Sequence, residues 1–422
     1  MRWAIPRYGI RVAPETSEII RECRSRGELI RGPQIAEFEA SFARFLGVEE
    51  AIATSYGRMA FYYILKAFRF PLGSEIVLPA LTFWVIPELA RAAGLKPVFA
   101  DVDPVTFTTP ASAIEQAITE RTCAVVPTHL YGLPCDMDEI LSVAARHHVA
   151  VIEDCAHAIG ATYQGRPVGT LGDAALYSFQ LLKPLSTFRG GMAVVRDKSV
   201  RERVRQLVNE EPWPAEAAIQ RVLRLAWLEL LFTRPGVFTF SGFPILWLSS
   251  FLSARPDVYL WEPIRHLAPL PADYTERYSN VQAALGLAGL KHLAHWTAAT
   301  RSHAEVLNTE LGPVVRVPSV PPDRTHVYYQ YCVYPPDRDV FVRQAIRRGI
   351  DVETLHMDVC TKLPLFAQYS CPAPGAEYAS QAVQLPVYSC LSMSEIRRVA
   401  DVARHLLSRR PEPLAGPGLV SR

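Results

Sequence analysis

The 422-residue sequence has no block of lysines and arginines, and its formal net charge is only +2. That excludes a dominant nucleic-acid footprint, which needs clustered positive charge. It also lacks a CxxC pair and any cysteine–histidine spacing suited to zinc. Its eight cysteines, Cys23, Cys123, Cys135, Cys155, Cys332, Cys360, Cys371 and Cys390, are scattered. This reads as reduced, mostly buried thiols in a cytoplasmic enzyme, with no disulfide framework and no metal site. The opening stretch "MRWAIPRYGIRVAPET" has no apolar core, so no secretory signal is expected in it. There is no internal repeat, and compositional bias is confined to the proline-bearing tail after Arg409.

What is present is an ordinary globular balance, 49% hydrophobic and 20% charged, over a length that allows two domains. From about Ala51 to Val195 short apolar runs recur: "EIVLPAL", "KPVFADV", "CAVVPTHLYG", "VAVIEDCA", "AALYSF" and "GMAVV". They show little polar alternation, which suits strands buried on both faces. Helix-length stretches such as "PASAIEQAITE" and "DMDEILSVAARHH" separate them, each opened by Pro or Asp. The alternation predicts an α/β fold with a mostly parallel central sheet and ligands beyond the strands' carboxyl ends. After Tyr274 the texture changes to a helix "NVQAALGLAGLKHLAHW", a strand "THVYYQYCVYP", a helix "DVFVRQAIRRGI" and a terminal helix "LSMSEIRRVADVARHLLS". We read a large domain over residues 1–265, a small C-terminal α+β domain over 266–409 and a disordered tail over 410–422.

An apolar insert of about residues 217–262 sits in the large domain. Its central part, "RVLRLAWLELLFTRPGVFTFSGFPILWLSSFLS" from Arg221 to Ser253, is hydrophobic nearly all round and carries Trp227 and Trp247, with Trp261 just beyond. Arg234, Pro235 and Gly236 interrupt it, so neither arm holds the ~20 apolar residues of a spanning helix. Two readings stay open. One is a helical hairpin buried in the core or a dimer interface. The other is a surface that meets lipid or a lipid-linked substrate, with tryptophans at the boundary, peripheral at the inner membrane face.

Two charged residues mark the chemistry. Lys183 follows the run "AALYSF", and Asp154 closes the run "VAVIED". A lysine is most often solvated, but a desolvated amine loses its proton readily and becomes a nucleophile. An aspartate there could cap a helix, yet a carboxylate at a strand end also suits a pyridinium nitrogen.

The spacing Asp154-Cys-Ala-His157, Gly169-x-x-Gly172-Asp173, Ser178-Phe179, Lys183 and Gly190-Gly191 resembles the DegT/DnrJ/EryC1/StrS family of pyridoxal-phosphate sugar aminotransferases. "GPQIAEFEASFARFLGVEEAIATSYGRMA", "PALTFWVIPELARAAGLKPVFADVDPVTF", "RTCAVVPTHLYGLPCDMDEI", "YTERYSNVQAALGLAGL" and "LPVYSCLSMSEIRRVA" are similar to further family landmarks. The resemblance implies a homodimeric fold-type I transferase that uses pyridoxal 5'-phosphate. Its amino donor would be glutamate or glutamine, and its acceptor a keto-sugar nucleotide. It implies that Lys183 bonds covalently to the cofactor and later shuttles a proton. Asp154 would hold the ring nitrogen protonated, His157 would lie beside the ring and Phe83 would stack on its face. Ser178 and the backbone amides of Gly57 and Arg58 would take the phosphate.

The chain departs from the pattern at three places. The family usually has Gly-Thr at Gly57-Arg58 and Gly-Glu-Gly-Gly at Phe188-Arg189-Gly190-Gly191. Its phosphate-reaching Asn from the neighbouring subunit is here Thr275. Arg58 could replace that Asn with a charge-assisted bond to phosphate. These departures and the insert mark a divergent member. They leave two rival readings, a transaminase for lipid-linked or long-chain ketones and a cofactor-binding regulator without turnover.

Overall fold

The computed structural model describes residues 3–252, 263–354 and 357–408. Seven apolar segments form one sheet: β1 Ala51–Thr54, β2 Glu75–Pro79, β3 Lys96–Ala100, β4 Thr122–Val125, β5 Ala150–Asp154, β6 Ala174–Ser178 and β7 Gly191–Val195. Their spatial order is β1-β7-β6-β5-β4-β2-β3. The run from β6 through β3 is parallel, and β7 is antiparallel to both of its neighbours. Their side chains are mostly buried, which is why the runs lack polar alternation. Helix α1, Gly57–Phe68, leaves β1 directly and buries Met59, Phe61, Ile64 and Leu65 in the main core.

In the smaller C-terminal unit, a strand at Tyr331–Val333 pairs antiparallel with Val383–Leu385. Helices Arg338–Arg347 and Met393–Leu407 pack around this pair, the second opened by a capping box of Ser392 and Glu395. The long helix Asn280–Leu311 joins this unit to the sheet domain and outruns the expected helix, which ended at Trp296. The strand expected over Thr325–Pro335 forms at Tyr331–Val333 only. Before it the backbone turns to meet the loop after β4, Val327 N–H bonding to Gly132 O and Gln330 N–H to Tyr131 O. Residues near the N-terminus, expected in the large domain, pack on the small one instead. Ile5 bridges Ile350 in parallel, and Ala4 and Ile5 bury their apolar side chains in that core.

The insert makes three helices: α2 Glu216–Phe232, α3 Pro235–Phe240 and α4 Gly242–Leu252. Pro235 starts the second, where it costs no hydrogen bond. Ile219, Leu223, Ala226 and Leu230 recur at helical spacing and bury one face of α2 against Leu181, Phe188, Val281 and Leu285. Phe238 and Leu246 enter the small-domain core. The remaining faces are open, with Leu228 51% exposed, Phe232 49% and Trp247 42%. The expected hairpin is thus three helices, of which α2 buries one face in the chain's own core, and the open faces leave both the dimer-interface and the lipid reading standing. Among the described residues no helix is long and apolar enough to cross a membrane. Trp261 and the expected tail at 410–422 lie outside the described residues.

Candidate active site

Charge is buried at the carboxyl end of the sheet. Asp154 is the last residue of β5 and pairs in register with Leu176 of β6. Ser178 ends β6, and Lys183 stands on the turn that follows. Only 8% of Lys183 and 5% of Asp154 is exposed. Desolvation pushes the Lys183 amine down to about 7, with Arg58 acting the same way and the charges of Asp154 and Glu353 opposing. Desolvation also raises Asp154 above the usual carboxylate range, against the pull of the Ala156 N–H at 2.9 Å and of Lys183. At neutral pH a substantial fraction of Lys183 is therefore free amine, the form that attacks a carbonyl.

Tyr329 joins the other parts of the site. Its hydroxyl accepts a bond from Lys183 Nζ at 3.4 Å, and Nζ lies 4.7 Å from the ring centroid. The same ring stacks on His157 with centroids 4.2 Å apart. His157 is buried on the turn after β5, and its Nδ1 accepts the Tyr131 N–H at 3.4 Å. Reading the sequence as strand missed Tyr329. The signal available was "YYQY", whose adjacent tyrosines cannot share one face of a strand.

The turn between β1 and α1 presses against the end of β6. A Cβ on Gly57 would lie 2.7 Å from Tyr177 O and 2.8 Å from Ser178 Cβ, so only glycine allows this approach. It sets the first turn of α1 beside Ser178, where helix amides face outward. Arg58, expected to reach a phosphate, is held by rings: its guanidinium lies 5.1 Å from the centroids of Tyr56, Phe83 and Tyr274. It also donates to the Tyr274 hydroxyl. Phe83 therefore faces Arg58 in this chain. Thr275 is partly buried and bonds back to Ala272 O at 3.3 Å, and its neighbour Tyr274 is what meets Arg58.

Phe188 occupies a left-handed backbone position, φ +69°, where a bulky side chain is strained and where the resemblance has glycine. Its ring is buried under α2 with Leu181, Ile219 and Leu223. Arg189, in place of the family's Glu, stacks on Tyr56 at 4.2 Å and ion-pairs with Asp273 and Glu276.

Beneath Asp154 the structure gathers His129, Glu153 and Cys155 with their ligand atoms within 4.8 Å. Glu153 points to the opposite face of the sheet from Asp154, as neighbouring strand residues must. It accepts from Gly169, Leu171 and Gly172 N–H at 2.6–2.8 Å and contacts His129 Nε2 at 3.0 Å. Burial opposes its ionisation, but these bonds outweigh burial and hold it below the usual range. With His129 Nδ1 taken by the Cys135 N–H at 3.0 Å, the cluster is a hydrogen-bonded brace rather than an open ligand set. A buried acid directly before Asp154 was the sequence signal for it.

A mostly parallel α/β sheet with a buried lysine and a buried carboxylate at its mouth is the arrangement expected of a fold-type I aminotransferase. The family model described as the DegT/DnrJ/EryC1/StrS aminotransferase family matches residues 11–212 and 261–404, and the chain belongs to that family. The interval between the matched stretches holds α2, α3 and α4. The chain is 30% identical to the pleiotropic regulatory protein of Geobacillus stearothermophilus, covering 93% of this chain and 95% of that one. It is 34% identical to the GDP-perosamine synthase of Caulobacter vibrioides, covering 72% and 69%. The solved structure of S. venezuelae DesV in complex with a ketimine intermediate aligns with a TM-score of 0.74 at 26% identity, covering 94% and 95%.

The residues present fit pyridoxal phosphate. Lys183 offers an amine poised near neutrality, and Asp154 offers a desolvated carboxylate whose natural partner is a protonated ring nitrogen. The glycine-tight turn at Gly57 beside Ser178 offers phosphate donors.

Proposed function

We propose that the chain moves an amino group from glutamate or glutamine onto a ketone of a sugar nucleotide. The observation that carries this reading is the buried pair of Lys183 and Asp154 at the mouth of β5 and β6, within a chain that belongs to a sugar-aminotransferase family. The GDP-perosamine synthase relative supports a nucleotide-sugar acceptor. When bound, pyridoxal phosphate supplies an aldehyde that captures amines and a ring that draws electrons from the adjacent carbon. Lys183 is the residue to hold that aldehyde and then, released as free amine, to carry a proton at Nζ. Tyr329 bonds to Nζ, and Asp154 is the carboxyl group that a protonated ring nitrogen would pair with and hold ionised. His157 stacks on Tyr329 and so backs the ring that Lys183 meets. One amine-handling site for two ketone–amine exchanges makes donor and acceptor take turns, which is ping-pong kinetics. As in the family, we infer a homodimer.

An absorbance scan of the purified protein with and without L-glutamate, followed by a screen of keto-sugar nucleotides, tests the reading. A donor-dependent spectral change with no acceptor present is expected, and its absence with every amino acid would sink the proposal. The open face of α2 and α4 favours one second reading, a lipid-linked ketone as acceptor. Turnover that depends on detergent or liposomes would select it.

A further inference from the structure

The N-terminal segment and the small domain enclose a cleft lined by Arg7, Tyr8, Arg11, Leu182, Tyr329 and Tyr388, among others. Tyr329 is the partner of Lys183, and Leu182 precedes Lys183, so two of the cleft's lining residues adjoin the lysine. Its two arginines differ. Arg7 is committed to Asp351, bonding through Nε at 3.0 Å and Nη2 at 2.7 Å. Arg11 is only 6% exposed, and its hydrogen bonds go to neutral hydroxyls: Nε to Ser389 Oγ at 3.4 Å and Nη2 to Thr300 Oγ1 at 3.2 Å. Among the described residues no carboxylate pairs with it and Nη1 has no hydrogen-bond partner. A buried guanidinium without an anion is rare, because desolvation goes uncompensated. Its planar fork matches a carboxylate.

We propose that Arg11 holds the carboxylate of the amino donor. The inference rests on the aminotransferase reading above and names the donor side of that same site. Arg11 and Lys183 are linked through Tyr329: the charge of Arg11 acts on the tyrosine, and its hydroxyl bonds to Nζ. In an α-amino acid the amine and the carboxylate share one carbon. Clamping the carboxylate at Arg11 therefore delivers the amine toward Lys183 in a fixed orientation, while a ketone lacking that group gains nothing from Arg11. The same fork could instead take the diphosphate of a sugar nucleotide, so the test carries both anions.

The test is isothermal titration of the cofactor-loaded protein with 2-oxoglutarate and, separately, with UDP and GDP, beside melting curves. Arg11→Gln should weaken 2-oxoglutarate at least about 30-fold and leave the nucleotides within about twofold. Arg11→Lys, which keeps the charge but loses the fork, should fall between. 2-Oxoglutarate should raise the melting temperature of the wild type and not that of Arg11→Gln. Unchanged 2-oxoglutarate binding in Arg11→Gln overturns the proposal. So does loss of UDP or GDP binding in its place, or a lower ligand-free melting temperature with the ligand-induced shift intact. The two readings fail separately. Borohydride reduction that leaves no adduct on Lys183 removes the aminotransferase reading, whereas an adduct there with a neutral Arg11→Gln removes only this one.

Discussion

The mouth of the sheet buries charge, and the helices α2 to α4 expose apolar surface. Each runs against the ordinary partition of side chains. At the mouth the groups compensate one another within the chain. Asp154 and Glu353 act on Lys183, three rings surround Arg58, and Glu153 gathers three amides and His129. Along the helices Leu225, Leu228, Phe232, Ile245, Trp247 and Leu252 are 42–81% exposed among the described residues. Phe188 joins them, since it stands on the turn after Lys183 and is buried under α2. The insert thus packs on the turn that follows Lys183.

The comparison breaks most visibly if the buried charges are only structural. Lys183→Ala should keep the fold and lose turnover by about 10⁴-fold or more, because no other amine replaces a committed nucleophile. Borohydride reduction and peptide mapping of the loaded wild type should place the adduct on Lys183. An adduct on Lys66, Lys291 or Lys362 would refute the assignment. Asp154→Asn should retain cofactor and lose about 3–5 kcal/mol of transition-state stabilisation in the chemical step, since an amide cannot hold a ring nitrogen protonated. Single-turnover rates near wild type would show that this acid only caps the turn at Ala156.

Much of this contrast was legible in the sequence. Six of the seven sheet strands were visible because strands buried on both faces carry uninterrupted Val, Ile and Ala, as in "VAVIED" and "GMAVV", while the short β1 at Ala51–Thr54 was not singled out. Lys183 and Asp154 were legible because each follows such a run. Tyr329 was missed because "VYYQY" reads as strand, whereas the backbone leaves strand geometry at Tyr328, φ +47°. Arg58 was legible as a cation near the site, but its capture by Tyr56, Phe83 and Tyr274 rests on residues up to 216 positions away. The apolar insert was visible as composition, while its division into buried and open faces required the neighbours supplied by Phe188 and the small domain.

The pH response sharpens the same contrast, because burial rather than pairing sets the Lys183 amine near 7 against an ordinary 10.5. Between these values the unfolded chain binds a proton that the folded chain releases, so stability of the cofactor-free protein should rise with pH across that window. Below about 7 both states are protonated and this dependence ends. Capture of pyridoxal phosphate by the cofactor-free protein should accelerate about tenfold between about pH 6 and 8, as the free amine grows. Lys183→Ala should flatten the melting-temperature profile, and a wild-type profile without a rise above pH 7 would show that Lys183 stays charged.

The smallest expected effect is the one that defines the second region. Within α2 to α4 the structure separates Phe238, 7% exposed, from Leu228, Phe232 and Trp247, which are 42–51% exposed. Phe238→Ala removes a ring from the core shared with Tyr328 and Phe341 and should cost about 3–5 kcal/mol. Leu228→Ser, Phe232→Ser and Trp247→Ser remove surface that the chain leaves in water, so each should change the stability of the monomer by about 0.5 kcal/mol or less. An open apolar face of this kind promotes association, so the triple variant should also be more soluble than the wild type. Denaturant melts at low protein concentration measure the first effect, and sedimentation measures the second. Liposome flotation then tells the occupants apart: loss of wild-type flotation in the triple variant assigns the face to lipid, and loss of self-association without flotation assigns it to a second copy of the chain. A cost above about 2 kcal/mol for any of the three exposed substitutions in the monomer would place that side chain in a core and erase the distinction between the two faces.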